Sequence, residues 1–223
     1  METIRGFILD VDGTLLDSND AHAEAYMRAL HEHGFEVESG QVRRLIGMGS
    51  DKLLPAAVGV QAEAEIGQRI TERKREIFLS ELLPRLRPMP GARELLEHLR
   101  AAEIVRVVAT SAGADEVRQL LQAARVADLV DDLTTADDVD ESKPDPGLVR
   151  AALRKCGLPP RLVTMLGDTP YDLEAAHGAG VRFIGLRCGG WSDRELTGAT
   201  GIYNDPADLL RHLQTALQGA GAA

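Results

Sequence analysis

Few folds accommodate a short apolar run that stops in two carboxylates, and this chain has one near its start: Ile4-Arg5-Gly6-Phe7-Ile8-Leu9-Asp10-Val11-Asp12-Gly13-Thr14-Leu15-Leu16-Asp17. Residues 4–9 read as a strand buried on both faces of a parallel sheet. Asp10 then falls at the strand's carboxyl end, where open α/β sheets place their ligands. In extended backbone, residues two apart share a face, so the Asp10 and Asp12 carboxylates can address one site. Gly13 supplies the dihedral freedom of a tight turn. Two carboxylates about 4 Å apart repel by roughly 4 kcal/mol at an effective dielectric of 20. A fold keeps such a pair when a cation binds it or one acid holds a proton. The plainer alternative is a strand followed by an acidic turn, since Asp-Gly is ordinary turn chemistry. The remainder of the chain decides between them.

Past Asp17 the pattern turns helical for about seventy residues. We expect helices over about 20–33 (capped by Ser18 or Asn19, ended by Gly34), 39–45, 51–57 (capped by Ser50) and 62–82, with Ile46-Gly47-Met48-Gly49 as a loop. No strand stands out in this block. It reads as an α-helical cap, residues 17–88, inserted into a core made of residues 1–16 and 89–223. From Gly91 on, helices and strands alternate. Strands are expected at 104–109, 133–135, 162–166 and 181–186. Pro146 opens a helix reaching Cys156, Pro170 starts another at its first position, and a last one spans 206–217. Residues 218–223 are weakly patterned and expected to fray. Alternation of this kind predicts an α/β fold, a Rossmann-like parallel sheet with helices on both faces.

At 223 residues, 44% of them hydrophobic, the chain fits one large domain or a core with an insertion. Aromatics at 4% leave the packing to aliphatic side chains. A net charge of −10 argues against a nucleic-acid or anionic-membrane partner. It leaves an anionic substrate open, because a metal and a few bases can invert the local field. Cys156 and Cys188 lie far apart without metal-ligand spacing, so two free thiols in a cytoplasmic protein are expected. The first strand begins at once, which leaves no room for a signal peptide, and no apolar run reaches membrane-spanning length. A soluble monomer or homodimer is the expectation.

Four groups fall at successive strand ends: Asp10/Asp12, Thr110/Ser111, Lys143 in Ser-Lys-Pro-Asp-Pro, and Asp168/Asp172 in Gly-Asp-Thr-Pro-Tyr-Asp. This set resembles, in order, the four motifs of the haloacid dehalogenase superfamily of phosphohydrolases. The helical block also lies where the branch resembling phosphoglycolate phosphatase and β-phosphoglucomutase carries its cap. The resemblance covers nearly the whole chain. It implies that Asp10 attacks phosphorus to form an aspartyl-phosphate. Asp12 would be the general acid for the leaving alkoxide and then the base for water. Thr110, with nearby backbone N–H groups and Ser111, would bind phosphoryl oxygens, and Lys143 would steady nucleophile and phosphoryl group. Mg²⁺ would neutralise charge between Asp10, the backbone carbonyl of Asp12, Asp168 and, directly or through water, Asp172.

Each residue has a duller reading. Thr110-Ser111 can cap the following helix. Lys143 follows an acidic stretch and can be an exposed ion pair, and Asp172 can serve the helix macrodipole. The superfamily's dehalogenases and phosphonate-cleaving members, which this chain also resembles in fold, lack an acid at the position of Asp12, so the resemblance points to phosphoester hydrolysis or phosphoryl transfer. In the cap, the resemblance puts His22, Gly47 and Lys74 near a substrate. The alternatives are a packed histidine and a solvated basic face in Arg73-Lys74-Arg75. Gly189-Gly190-Trp191-Ser192 is either a further wall of the entrance or packing. The expected function is Mg²⁺-dependent hydrolysis of a small phosphorylated metabolite, phosphoglycolate or a sugar phosphate. A phosphomutase of the β-phosphoglucomutase type and a non-catalytic phosphate-binding module are the alternatives.

Overall fold

The computed structural model describes residues 3–218. In chain order the elements are β1 (Gly6–Leu9), helices α1 (Asn19–Glu32), α2 (Ser39–Leu45), α3 (Ser50–Val58), α4 (Glu65–Ile77) and α5 (Ala92–Ala101), then β2 (Val105–Ala109) and α6 (Ala114–Ala123). There follow β3 (Asp132–Thr134), α7 (Gly147–Cys156), β4 (Val163–Gly167), α8 (Pro170–Gly178), β5 (Arg182–Leu186), β6 (Gly201–Tyr203), α9 (Pro206–Arg211) and α10 (Leu213–Gln218). All six strands pair in parallel in the order β3-β2-β1-β4-β5-β6. The chain moves outward from β1 to β3, then returns to lay β4 on the other side of β1. That reversal is the topological switch point, and it sits over the carboxyl ends of β1 and β4.

Every residue of β1 is buried, and its pleat divides the core. Phe7 and Leu9 pack with Leu95, Leu96 and Leu99 of α5 and with Val117, Leu120 and Leu121 of α6. Ile8 packs on the other side with Leu148, Val149 and Ala152 of α7 and with Leu173 and Ala176 of α8. The expected two-faced Rossmann-like sheet is therefore present. Helices α1–α4 lie between β1 and β2 in sequence, and their buried residues, Leu30, Leu53, Leu54 and Ile70 among them, join the first of these clusters.

Local differences have local causes. The long helix expected over 62–82 begins only at Glu65 and passes after Ile77 into a π-helical turn, Phe78–Leu82. The last helix breaks at His212: its ring Nδ1 donates to Asp208 O (2.9 Å), and its N–H bonds Leu209 O instead, closing a tighter turn. Strand β6 was not expected. Ser18 precedes α1, but its hydroxyl donates to Asp12 Oδ1 rather than capping the helix. Ser50 is the first residue of α3 and Gly49 the residue before it. Pro170 opens α8 as expected, behind Thr169, whose hydroxyl accepts from Asp172 N. The expected fraying beyond Gln218 lies outside the described residues. No described helix is long and apolar enough to cross a membrane.

Candidate active site

The Asp10 amide donates to Leu166 O (2.9 Å), so β1's ladder runs one residue past the strand and holds Asp10 in register with β4. The chain then folds tightly: the N–H groups of Thr14, Leu15 and Leu16 all reach Val11 O, and Gly13 adopts φ +76°. A side chain there is excluded twice, by that dihedral and because a Cβ would collide with Asn19 Nδ2 and Asp168 Oδ2. The turn thus lays α1's first residue against the end of β4.

Lys143, 1% exposed, holds the centre. Its Nζ lies 2.5 Å from Asp10 Oδ1 and 2.7 Å from Asp172 Oδ1, and it also donates to Ala109 O at 3.4 Å. The exposed ion pair weighed for Lys143 is excluded by this burial. The other oxygen of Asp172 accepts from Thr169 N and Oγ1, so Asp172 caps its own helix and braces Lys143 together. Asp168 is fully buried; Oδ1 accepts from Thr14 Oγ1 (3.0 Å) and Oδ2 from Asn19 Nδ2 (2.8 Å).

The charge balance is lopsided. Burial pushes the Asp10 carboxyl well above the usual range, against Lys143, and Asp172, Asp168 and Asp12 push it further. Burial and then Asp172 lift Asp168 to about 7, against Asn19, Thr14 and Lys143. Burial would lower Lys143, but Asp10 and Asp172 outweigh it and raise it. One oxygen each of Asp10, Asp168 and Asp172 lie within 4.8 Å of one another. With all three ionised, three carboxylates against one ammonium leave two negative charges uncompensated in a buried place, which is why two of them hold their protons so tightly in the absence of a cation. Asn19, the donor to Asp168, also leaves its Oδ1 buried without a partner. An all-oxygen set with this deficit fits a hard divalent cation.

Asp12 shares the cavity but not the carboxylate cluster. Its Oδ1 accepts from Ser18 Oγ (2.5 Å) and His22 Nε2 (2.8 Å). Burial would raise it, yet His22, Ser18 and Lys74 together hold it down at about 2. His22 in turn stacks on Phe78, ring centroids 3.9 Å apart, so the packed histidine and the site histidine are the same residue.

A cavity of about 420 Å³ opens above these groups, lined by Asp10, Asp12, Lys143, Thr110, Ser111, His22, Gly47 and Lys74. All the expected core residues except Asp168 and Asp172, which lie beneath, thus reach one chamber, together with the three expected cap residues. Thr110 and Ser111 do not cap α6, which starts at Ala114 behind Gly113. Thr110 Oγ1 accepts from Ala112 N, and Ser111 Oγ donates to Gly47 O. Gly47, at φ +112°, sits where a Cβ would press on Thr169 and Tyr171. Beside it, one loop docks on the residue preceding Lys143. Gly49 N donates to Ser142 Oγ, Ser142 N to Asp51 Oδ2, and Lys52 Nζ to Ser142 O. Lys74 is buried, with Nζ 3.3 Å from Glu116 Oε1, which rules out the solvated face. Trp191 stacks under the Arg44 guanidinium at 4.2 Å and serves packing.

Several of these residues carry no functional signal in the sequence. Thr14 lies inside the first motif without an assigned role, and Ser18 and Asn19 have the pattern of helix caps. Ser142 was legible only as Lys143's neighbour. Glu116, acidic in a helix's first turn, had no distinguishing signal.

Similarity to known proteins agrees with this geometry. Residues 7–186 match the model of the family described as haloacid dehalogenase-like hydrolase. A phosphorylated carbohydrates phosphatase of Thermotoga maritima is 30% identical over 79% of this chain and 82% of its own. A phosphoglycolate phosphatase of Cereibacter sphaeroides is 31% identical over 93% of this chain and 98% of its own. The crystal structure of a hydrolase from Pseudomonas syringae superposes with a TM-score of 0.87 at 33% identity, covering 94% of this chain and 98% of that one. With its fold, its strand-end acids and these relatives in agreement, this chain belongs to the haloacid dehalogenase-like hydrolase family.

Proposed function

We propose that this enzyme, a phosphoric monoester hydrolase, cleaves a small phosphomonoester of the phosphoglycolate or sugar-phosphate type with Mg²⁺ and a covalent intermediate on Asp10. The observation that carries the reading is Lys143, buried between Asp10 and Asp172 at the floor of a chamber that also holds Asp12. An ammonium so placed orients one Asp10 oxygen and leaves the other for attack on phosphorus. The P–O bond to the alcohol breaks as the Asp10–phosphorus bond forms. Asp12, protonated once the substrate is bound, delivers the proton to the leaving oxygen, and His22 Nε2, 2.8 Å from its Oδ1, holds its carboxyl in place. Asp12 then takes a proton from the water that attacks the phosphoryl group and frees Asp10. Mg²⁺ supplies neutralisation of the phosphoryl charge. Asp10 and Asp168 would hold it, with Asp172, buried beside them, joining directly or through water while it braces Lys143. Thr110, Ser111 and the adjoining backbone face the phosphoryl oxygens.

Residues 17–88 act as the cap, closing the chamber through the Ser142 dock and the Lys74–Glu116 bridge and excluding water during transfer. The two free cysteines accord with a cytoplasmic location. The test is phosphate release from a panel of phosphomonoesters, with Mg²⁺ and with chelator. Metal-dependent release from members of the panel supports the reading. Release that survives chelation removes the metal from it, and transfer to a second hydroxyl of the same sugar would make the enzyme a mutase.

A further inference from the structure

Lys74 on α4 and Glu116 on α6 both line the chamber, and their side chains are 10% and 9% exposed. Lys74 Nζ lies 3.3 Å from Glu116 Oε1 and 5.3 and 5.2 Å from the ring centroids of Tyr26 and Phe78. An ammonium facing a carboxylate and two aromatic faces is already compensated. The chamber lining also carries Asp115 and Asp137, and besides Lys74 its cations are Arg75 and Lys143, the latter already held by Asp10 and Asp172. The stretch from Thr110 to Glu116 contains no basic residue. A third observation is independent of charge: Thr71 Oγ1, on this wall, is buried without a hydrogen-bond partner.

We infer that Glu116 determines specificity, withdrawing Lys74 from use as an anion receptor so that the chamber selects a neutral, polyhydroxylated leaving group over one bearing a carboxylate. This rests on the phosphomonoesterase reading above and narrows it. A substrate carboxylate reaching Lys74 meets Glu116 in a place too buried for solvent screening, and like-charge contact there discriminates strongly. A hydroxyl can donate to Glu116 and accept from Lys74 at once, and a second can satisfy Thr71 Oγ1. A cavity of about 420 Å³ has room for a polyol chain.

The test uses near-isosteric pairs that differ in leaving-group charge: sorbitol 6-phosphate against 6-phosphogluconate, and glycerol 3-phosphate against 3-phosphoglycerate. kcat/KM is measured on each for wild type, Glu116→Gln and Arg75→Ala, with p-nitrophenyl phosphate as the reference compound. Wild type should favour the neutral member by at least about tenfold, and Glu116→Gln should narrow that ratio, mainly by improving the acid. The wild-type ratio needs no variant, so misfolding of one would not remove the test. Equal or better turnover of the acids by wild type overturns the inference, as does a ratio unmoved in folded Glu116→Gln. A preference for acids that Arg75→Ala abolishes overturns it too and places the anion receptor at Arg75. Hydrolysis of p-nitrophenyl phosphate alone counts against the inference, whereas hydrolysis of nothing overturns the phosphatase reading itself.

Discussion

Replacing Asp168 with asparagine should stabilise the metal-free protein while abolishing its activity. Asp168 is fully buried beside Asp172, and its carboxyl rises from 3.8 to about 7. The folded state therefore holds this proton more tightly than the unfolded chain. Its contribution to stability is full below about pH 4 and is lost as pH climbs through about 7. At about pH 8 the difference amounts to roughly 4 kcal/mol, at about 1.4 kcal/mol per pH unit. Asparagine carries no charge to bury, but it offers one acceptor to the two donors Thr14 and Asn19. That returns about 1–3 kcal/mol. The net gain of about 1–3 kcal/mol corresponds to roughly 2–12 °C in Tm for a chain of this length. Calorimetry in chelator should show the wild-type Tm falling as pH rises from about 5 to about 8, with Asp168→Asn flatter and higher at the alkaline end. Saturating Mg²⁺ should raise the wild type by mass action and leave the variant unmoved. An Asp168→Asn Tm at or below wild type at about pH 8 in chelator would refute the charge-deficit argument.

Other consequences can be checked separately. If Asp12 protonates the leaving oxygen, Asp12→Ala should lose about 10²–10⁴ in kcat on an alkyl phosphate and far less on p-nitrophenyl phosphate, whose leaving group needs no proton; equal losses on both would count against that role. Ser142→Ala removes the acceptor of Gly49 N, worth about 1 kcal/mol, so steady-state kinetics should show KM rising about fivefold. An unchanged KM would mean the loop does not dock during turnover. Burial above all, with Asp131 and Asp132 beside one thiol and Asp168 beside the other, pushes Cys156 and Cys188 up to about 12. Mass spectrometry should find both unalkylated by iodoacetamide at about pH 8 in the folded protein and alkylated in denaturant.

The core was legible where periodicity and strand-end chemistry coincide. Residues 4–9 read as a doubly buried strand, of which 6–9 form β1, and the acids that follow need a cation or a proton wherever they lie. The arrangement of Lys143 between Asp10 and Asp172 depends on three segments converging, which spacing along one of them does not encode. Asp172 looked like a macrodipole residue or a metal ligand, and it is both a cap for α8 and a brace for Lys143. Asn19 and Ser18 show the same limit. Polar residues ahead of a helix usually serve its N–H groups, but here the turn at Gly13 carries them under Asp168 and Asp12. Strand β6 escaped because three half-buried residues at a sheet edge leave no hydrophobic period. Glu116 escaped because its partner Lys74 comes from another helix, 42 positions away.

If Asp10 carries the phosphoryl group, that intermediate can be caught chemically. Enzyme mixed with Mg²⁺ and a phosphomonoester it turns over is quenched during turnover, reduced with borohydride and digested for mass spectrometry. An acyl phosphate on Asp10 should be reduced to homoserine at that position alone, in the wild type and not in Asp10→Asn. Turnover that leaves Asp10 unmodified under conditions that trap an acyl phosphate elsewhere, or full activity in Asp10→Asn, would contradict that role for Asp10.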